Sequence, residues 1–363
     1  MKVALITPWD TLSGTALQFR QEIVYLAKKV ECKIYSEMDS SHIPKISVPN
    51  IPYEKCWSRK VGNLDRLMKG LLEFKPDVVH LIHEANWFGV DQRLEELSDF
   101  CKANKMKFII QFESPMPQWM EYFSLLKCDG YLSSSYPEEN SILEELGLHN
   151  VQYIPKPIPE GPMIPREEAQ KTIGYEDKRI LLNTGFQRQA SGYTEIIKGI
   201  APILAKNKDI IFIAAGCEHY DEFQPSKFRD EAMKLAGSLG VDSQIIFTNK
   251  FHSEKELFTY GSASDIYIHY RSKAMFFFAS GSIGRAFSFE LPAVAYDHPS
   301  IDDIPRGMVR IHSTDQLEQA IELLLTNSSY YSRLKKEVLE IKAERSPENT
   351  SKKLLEYYLR IMT

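Results

Sequence analysis

Short apolar runs separated by stretches of helical spacing recur along the chain from its first residues. Val3–Ile6 is an apolar run that reads as a buried parallel strand. Thr15 to Lys29 then carries helical spacing, with Leu17, Ile23, Leu26 and Ala27 able to share one face. Lys33–Ser36 predicts the next strand. Val78–Ile82 predicts another, entered through the turn Lys75-Pro76-Asp77, and Leu94–Lys102 predicts a helix. Phe108–Phe112, Gly130–Ser133 and Val151–Ile154 continue the strands. This alternation predicts a parallel, doubly wound sheet with helices on both faces.

The texture changes at Ile154 to Pro165, IPKPIPEGPMIP, where proline density forbids a central strand or a helix interior. This stretch reads as the connection between an N-terminal domain, 1–158, and a second one, 166–345. The second domain repeats the alternation. Strands are predicted at Ile180–Thr184, Ile210–Ala214, Ile245–Thr248, Ile266–Tyr270 and Ala293–Tyr296. Helices are predicted near Gly192–Ala205, Ser226–Leu239 and Glu254–Gly261, after Ser282, and from Asp315 to Leu325. The expected fold class is α/β: two Rossmann-like doubly wound sheets facing a cleft. Ligands in such sheets sit beyond the carboxyl ends of the strands.

Composition narrows the function. The chain has 363 residues, which suits two domains, and a formal net charge of −5, which argues against nucleic acid as a partner. Its five cysteines are scattered with no CxxC spacing, so neither a zinc site nor a disulfide framework is indicated. The N-terminal apolar run is broken by Pro8 and Asp10, too early for a secretory signal. No run approaches the roughly 20 apolar residues of a membrane span. A cytoplasmic location is expected, and any membrane contact would be peripheral, at the inner face. The basic residues Lys55, Arg59, Lys60, Arg66 and Lys69 near Trp57 are read either as a solvated face or as a surface for an anionic acceptor or lipid.

Gly261 to Asp297 concentrates the chemistry. Ala279-Ser280-Gly281-Ser282 is a small-residue turn opening a helix, and Arg285 follows one turn later. The backbone amides of Ser280, Gly281, Ser282, Ile283 and Gly284 would then form a cradle for a phosphate or diphosphate. Arg271 and Lys273 precede the turn, among Tyr267, Tyr270 and the run Phe276-Phe277-Phe278. Arg188, in the loop after Ile180–Thr184, offers a guanidinium fork to phosphate oxygens or is a solvated loop residue.

In the first domain, the Thr7–Thr15 loop brings Ser13 and Gly14 to a strand end, as ligand contacts or as an ordinary turn with a helix cap. The spacing is not GxGxxG, so no dinucleotide fingerprint is present. His83, Glu84 and Asn86 end another strand, where proton transfer or sugar-hydroxyl recognition would be placed. His80 and His83 are three apart and would face opposite sides of a strand, which disfavours a shared metal. His80 reads as a core histidine. Glu113 ends the next strand and is either a base or hydroxyl acceptor, or a capping carboxylate.

Together these stretches resemble a known family. The chain is similar to glycosyltransferases of the GT-B architecture, close to family 4 of the retaining, nucleotide-sugar-dependent transferases. The resemblance is carried by MKVALITPWDTLSGTALQF, KPDVVHLIHEAN, LLNTGF through IIFIAAG, and above all IIFTNKFHSEKELFTYGSASDIYIHY followed by GSIGRAFSFELPAVAYD. It implies that the second domain binds the donor, with Gly185 and Arg188 in its first loop, the base near Phe251, and the diphosphate near Phe277 to Arg285. It implies an acceptor against the Ser13–Gly14 loop and the Glu113 loop, and a C-terminal helix, 346–363, returning to the first domain.

The family's paired glutamates fall, counted back from Glu290-Leu291-Pro292, at Phe277 and Arg285. Its histidine falls at Glu113, and its loop arginine and lysine fall at Phe186 and Ser191. The motif is degenerate. The expectation is transfer of a sugar from a nucleoside diphosphate donor to a hydroxyl of a glycan, lipid or protein. Glu113 and Arg285 would be the catalytic residues, with no cofactor or metal. The alternatives are a non-catalytic GT-B module that binds a glycan or a partner transferase, and a sugar-nucleotide epimerase.

Overall fold

A computed structural model describes the chain except residues 12–13, 39–47, 60–61, 85–87, 89, 114–116, 135–138, 188–190, 219–225 and 272–279. It divides into two compact units, Met1–Pro157 with Arg345–Thr363, and Ile158–Met275 with Ser280–Glu344.

In the first unit, the parallel strands are β1 (Lys2–Ile6), β2 (Glu31–Glu37), β3 (Tyr53–Trp57), β4 (Val78–His83), β5 (Lys107–Phe112), β6 (Gly130–Ser133) and β7 (Val151–Tyr153). They lie in the order β3-β2-β1-β4-β5-β6-β7. The helices are α1 (Gly14–Ala27), α2 (Asp65–Phe74), α3 (Gln92–Ala103), α4 (Pro117–Ser124) and α5 (Glu139–Glu145). The period of two along each strand sorts side chains into two cores. Val3 and Leu5 meet Phe19, Ile23 and Leu26 of α1 on one face. Ala4 and Ile6 meet Leu67, Leu71, Leu94 and Leu97 of α2 and α3 on the other.

The second unit repeats the plan with β8 (Arg179–Thr184), β9 (Ile210–Ala215), β10 (Ile245–Phe247), β11 (Ile266–His269), β12 (Ala293–Tyr296) and β13 (Met308–Ile311). Their order is β10-β9-β8-β11-β12-β13. Its helices are α6 (Arg166–Ile173), α7 (Tyr193–Lys206), α8 (Ser226–Ser238), α9 (Glu254–Ala263), α10 (Gly281–Ser288), α11 (Leu317–Thr326) and α12 (Ser328–Glu344). No helix among the described residues is long and apolar enough to cross a membrane.

The basic stretch around Trp57 divides: Arg66 and Lys69 are exposed on α2, as a solvated face would be, whereas Lys55 and Arg59 are turned inward. It contains β3, and Trp57 is 1% exposed, its indole N–H donating to the Tyr35 carbonyl at 2.8 Å. Lys55 pairs with Asp10 at 2.7 Å, and Arg59 pairs with the buried Glu37 through two contacts, one of 2.8 Å. The Lys55 and Arg59 charges are consumed inside the unit by acids on β2 and the loop after β1. Lys60 lies outside the described residues.

The last helix, α13 (Pro347–Met362), belongs to the first unit and packs on α1. Tyr358 reaches His80 Nδ1 at 2.6 Å, and the Tyr357 hydroxyl donates to the Asn150 carbonyl at 2.9 Å. Gly130 makes this approach possible, since a Cβ there would lie 2.1 Å from the Tyr357 oxygen. Burial pushes His80 down to about 3, so it is a neutral core histidine.

Under the same helix lies Glu22, on the apolar stripe of α1 with Phe19, Ile23 and Leu26, and only 3% exposed. Burial raises its pKa from 4.5 to about 8; the Thr350 hydroxyl opposes the shift and the Glu113 carboxylate adds to it. Unfolding lets Glu22 ionise at its ordinary pKa. Stability therefore falls as pH rises between 4.5 and about 8, by about 1.4 kcal/mol per pH unit, and is level above that window. Glu22→Gln keeps an oxygen to accept from the Thr350 hydroxyl and removes this slope. The variant is expected to be more stable than wild type by on the order of 3 kcal/mol at pH 7, with the gap closing toward pH 4.5. Urea melts across that range check it.

Candidate functional site

Strand order in the second unit reverses beside β8, so the loops leaving β8 and β11 run apart at their carboxyl ends. Gly185 follows β8 with φ +124°, a conformation that favours glycine. Gly216 follows β9, and a Cβ there would lie 1.9 Å from the Gly185 carbonyl oxygen. Two bare backbones therefore touch at this edge. The Gly185 N–H donates to Ala215 O at 3.2 Å, and the Lys250 N–H donates to Gly216 O at 2.9 Å. Phe251, 44% exposed, stands next to that second contact.

Helix α10 starts against the same edge. Ser280 is its N-cap but gives no side-chain cap. Its N–H donates to Ser300 O at 2.7 Å, and its hydroxyl lies 3.4 Å from His269 Nε2. The Gly284 N–H is taken by Ser280 O within the helix. This corrects the five-residue cradle: Ser280 and Gly284 have committed amides, and the first-turn donors are Gly281, Ser282 and Ile283. Ile283 offers only its backbone, because its side chain is fully buried in the core. Gly281 is exposed and Ser282 half-buried.

Tyr267 ties α10 to β8. Its buried hydroxyl lies 3.0 Å from the Thr184 N, 3.0 Å from Thr184 Oγ1 and 2.9 Å from Ser282 Oγ. Two residues on, His269 is 3% exposed, and its Nδ1 has no hydrogen-bond partner among the described residues. Burial, followed by the positive charge of Arg271, pushes His269 down to about 3. His298, after β12, is held below its usual range by burial and then by Arg271, and its Nδ1 accepts from the Ser300 N–H at 3.1 Å. Arg271 is half-buried, the second residue after β11.

Arg285 is 14% exposed and forms a two-pronged ion pair with Glu254 at 2.5 and 3.0 Å. Glu254 opens α9, which is held by a capping box between Ser253 and Glu256. The Arg285 fork is therefore filled by a carboxylate. Arg188, Lys273 and the run Phe276–Phe278 lie outside the described residues.

In the first unit, strand order reverses between β1 and β4. Thr11 Oγ1 donates to Glu37 at 2.6 Å, and the Trp9 N–H donates to Ser36 Oγ at 3.0 Å, fixing the β1 loop. Ser13 and Asn86 lie outside the described residues, and Gly14 is the first residue of α1. His83 is buried, edge-on to Phe123 at 5.1 Å, so its ring is packing rather than a surface contact. Its carbonyl accepts from the Glu113 N–H at 3.1 Å, which joins the ends of β4 and β5. Glu84 is half-buried beside it. Glu113 is 4% exposed and paired with Lys156 at 3.1 Å.

Sequence reasoning did not single out Glu22, Lys156, Gly216, His269 or His298, and it gave Tyr267 no role beyond its place among the aromatics near Arg271 and Lys273. Polar-capable residues at alternate positions of an otherwise apolar strand, as in Ile266-Tyr267-Ile268-His269, were the available signal. Among the described residues no group of three or more His, Cys, Asp or Glu could hold a metal ion.

Solved structures share this architecture over the whole chain. A glycosyltransferase from Rickettsia africae ESF-5 aligns with a TM-score of 0.76 at 12% identity, covering 100% of this chain and 99% of that one. HepE from Anabaena, in complex with UDP, aligns at 0.75 and 12% identity, covering 98% and 99%. Sucrose-phosphate synthase from Thermosynechococcus elongatus aligns at 0.74 and 13%, covering 99% of each chain. The chain has the GT-B fold. No protein-family model and no curated protein matches the sequence. The paired glycines at the ends of β8 and β9 leave no room for a side chain at Gly216. Gly216→Ala is expected to cost about 1–3 kcal/mol, read as a lower urea midpoint.

Proposed function

We propose that this GT-B protein transfers a sugar from a nucleoside diphosphate donor to a hydroxyl of a glycan, lipid or protein acceptor, with retention of configuration. The observation that carries the proposal is the start of α10. Three first-turn amides without a side-chain cap sit at the carboxyl edge of a sheet whose strand order reverses there. Such amides and the helix dipole stabilise an anion, here the departing diphosphate. Arg271 and Arg285 would add positive charge, so the proposal needs no metal. Gly185, Arg188, Phe251 and Lys273 complete the proposed donor set. The UDP seen with HepE supports a nucleoside diphosphate in this role. The family resemblance supports retention.

On the acceptor side, Glu113 is the proposed contact, its charge held by Lys156, together with the Ser13–Gly14 turn, His83, Glu84 and Asn86. The packing of His83 limits its part to its backbone. A second reading is favoured by one observation: Arg285 is already neutralised by Glu254. A non-catalytic module that binds a glycan or a partner transferase would keep that pair permanently.

Thermal melts with UDP-, GDP- and ADP-sugars separate the two. A donor at a hundredfold excess over its Kd stabilises the native chain by roughly 2.7 kcal/mol, and turnover should follow in a donor-hydrolysis assay. Glu254→Gln is expected to tighten donor binding, and Arg285→Ala to weaken it, each by roughly three- to tenfold. A donor panel with no shift and no turnover, alongside retained glycan binding, selects the second reading.

A further inference from the structure

Resting on the nucleoside diphosphate reading, we infer that Tyr267 is a positioning residue that orients the Ser282 hydroxyl as a hydrogen-bond donor to the diphosphate. A phenol has one hydrogen to give and accepts two. Four atoms compete for it: Thr184 N at 3.0 Å, Thr184 Oγ1 at 3.0 Å, Ser282 Oγ at 2.9 Å and Thr184 O at 3.3 Å. The Thr184 N–H can only donate, which uses one acceptor site. The three shortest contacts fill the phenol completely when one of the two hydroxyls donates to it and the other accepts its hydrogen, and in the proposed arrangement Ser282 Oγ takes the accepting place. The carbonyl at 3.3 Å is then the contact left out.

That assignment leaves the hydrogen of Ser282 for a group outside the network. Ser282 is half-buried in the first turn of α10, beside the exposed Gly281. Its hydroxyl and the first-turn amides therefore belong to one donor set. The same phenol holds Thr184, whose next residue is Gly185. A single buried oxygen fixes the β8 turn and the start of α10 against each other. The fixed point is rigid because Tyr267 is fully buried between Thr184 and the core residues Ile283 and Phe287.

The test is calorimetric titration of the full chain with UDP, GDP and ADP and with the three nucleosides. Tyr267→Phe and Ser282→Ala are each expected to weaken the diphosphate that binds wild type by roughly five- to tenfold and to leave its nucleoside unchanged. The double variant should bind no worse than the weaker single variant, since both remove one hydrogen bond. Tyr193→Phe removes another buried phenol, bonded to Asn183 at 3.1 Å, and should have no effect. Multiplying losses in the double variant, equal loss of nucleoside, or an equal effect of Tyr193→Phe would overturn the inference. A wild-type chain that binds one diphosphate while Tyr267→Phe matches it overturns the role of Tyr267 alone. A wild-type chain that binds none overturns the underlying reading as well.

Discussion

Reversal of strand order beside the first strand of each sheet is the constraint from which both candidate surfaces follow. Parallel strands must be joined by crossovers, and a sheet that grows first one way and then the other sends neighbouring loops apart at a single place. In the second unit that place lies between β8 and β11, and the elements gathered there are those able to present bare backbone. Gly185 and Gly216 touch through main-chain atoms, and α10 opens without a side-chain cap. In the first unit the corresponding place lies between β1 and β4, and it collects charged side chains instead.

Those charges are balanced internally. Glu37 with Arg59, Asp10 with Lys55, Glu113 with Lys156 and Glu254 with Arg285 each bring an acid and a base together at or near a strand end. Burying such pairs carries a desolvation cost that their attraction only partly offsets, so they are weak evidence of stability. They hold loops in defined positions; Thr11, for instance, is anchored to Glu37 at 2.6 Å. On the proposed donor reading, an anion arriving at Arg285 would meet a carboxylate already in place, so binding would be an exchange of partners rather than the filling of an open site.

The repeating frame was legible in the sequence because fully buried parallel strands leave near-continuous apolar runs, as at Ile210–Ala214 and, broken only by His80, at Val78–Ile82. The start of α10 was legible for a similar local reason, its small residues followed by an apolar periodic segment. Strand β3 was not, because it is half-covered and its Tyr53-Glu54-Lys55 reads as a polar surface. The partners of charged residues were also hidden. Glu254 lies 31 positions from Arg285, and Lys156 lies 43 from Glu113, distances over which no local pattern reports pairing. Glu22 occupies a middle case. Its place among Phe19, Ile23 and Leu26 was open to reading in the sequence but was not read, and only the packing of α13 shows what it faces.

The bond between His80 and Tyr358 joins residues 278 positions apart, with the whole second unit threaded between them. During synthesis, the sheet face that includes Val3, Leu5 and Ile109 has its strands in place long before α13 leaves the ribosome. Until then α1 covers its share of that face and the share that α13 covers stays open. The last apolar contacts of the first unit therefore form only after the following domain has been translated.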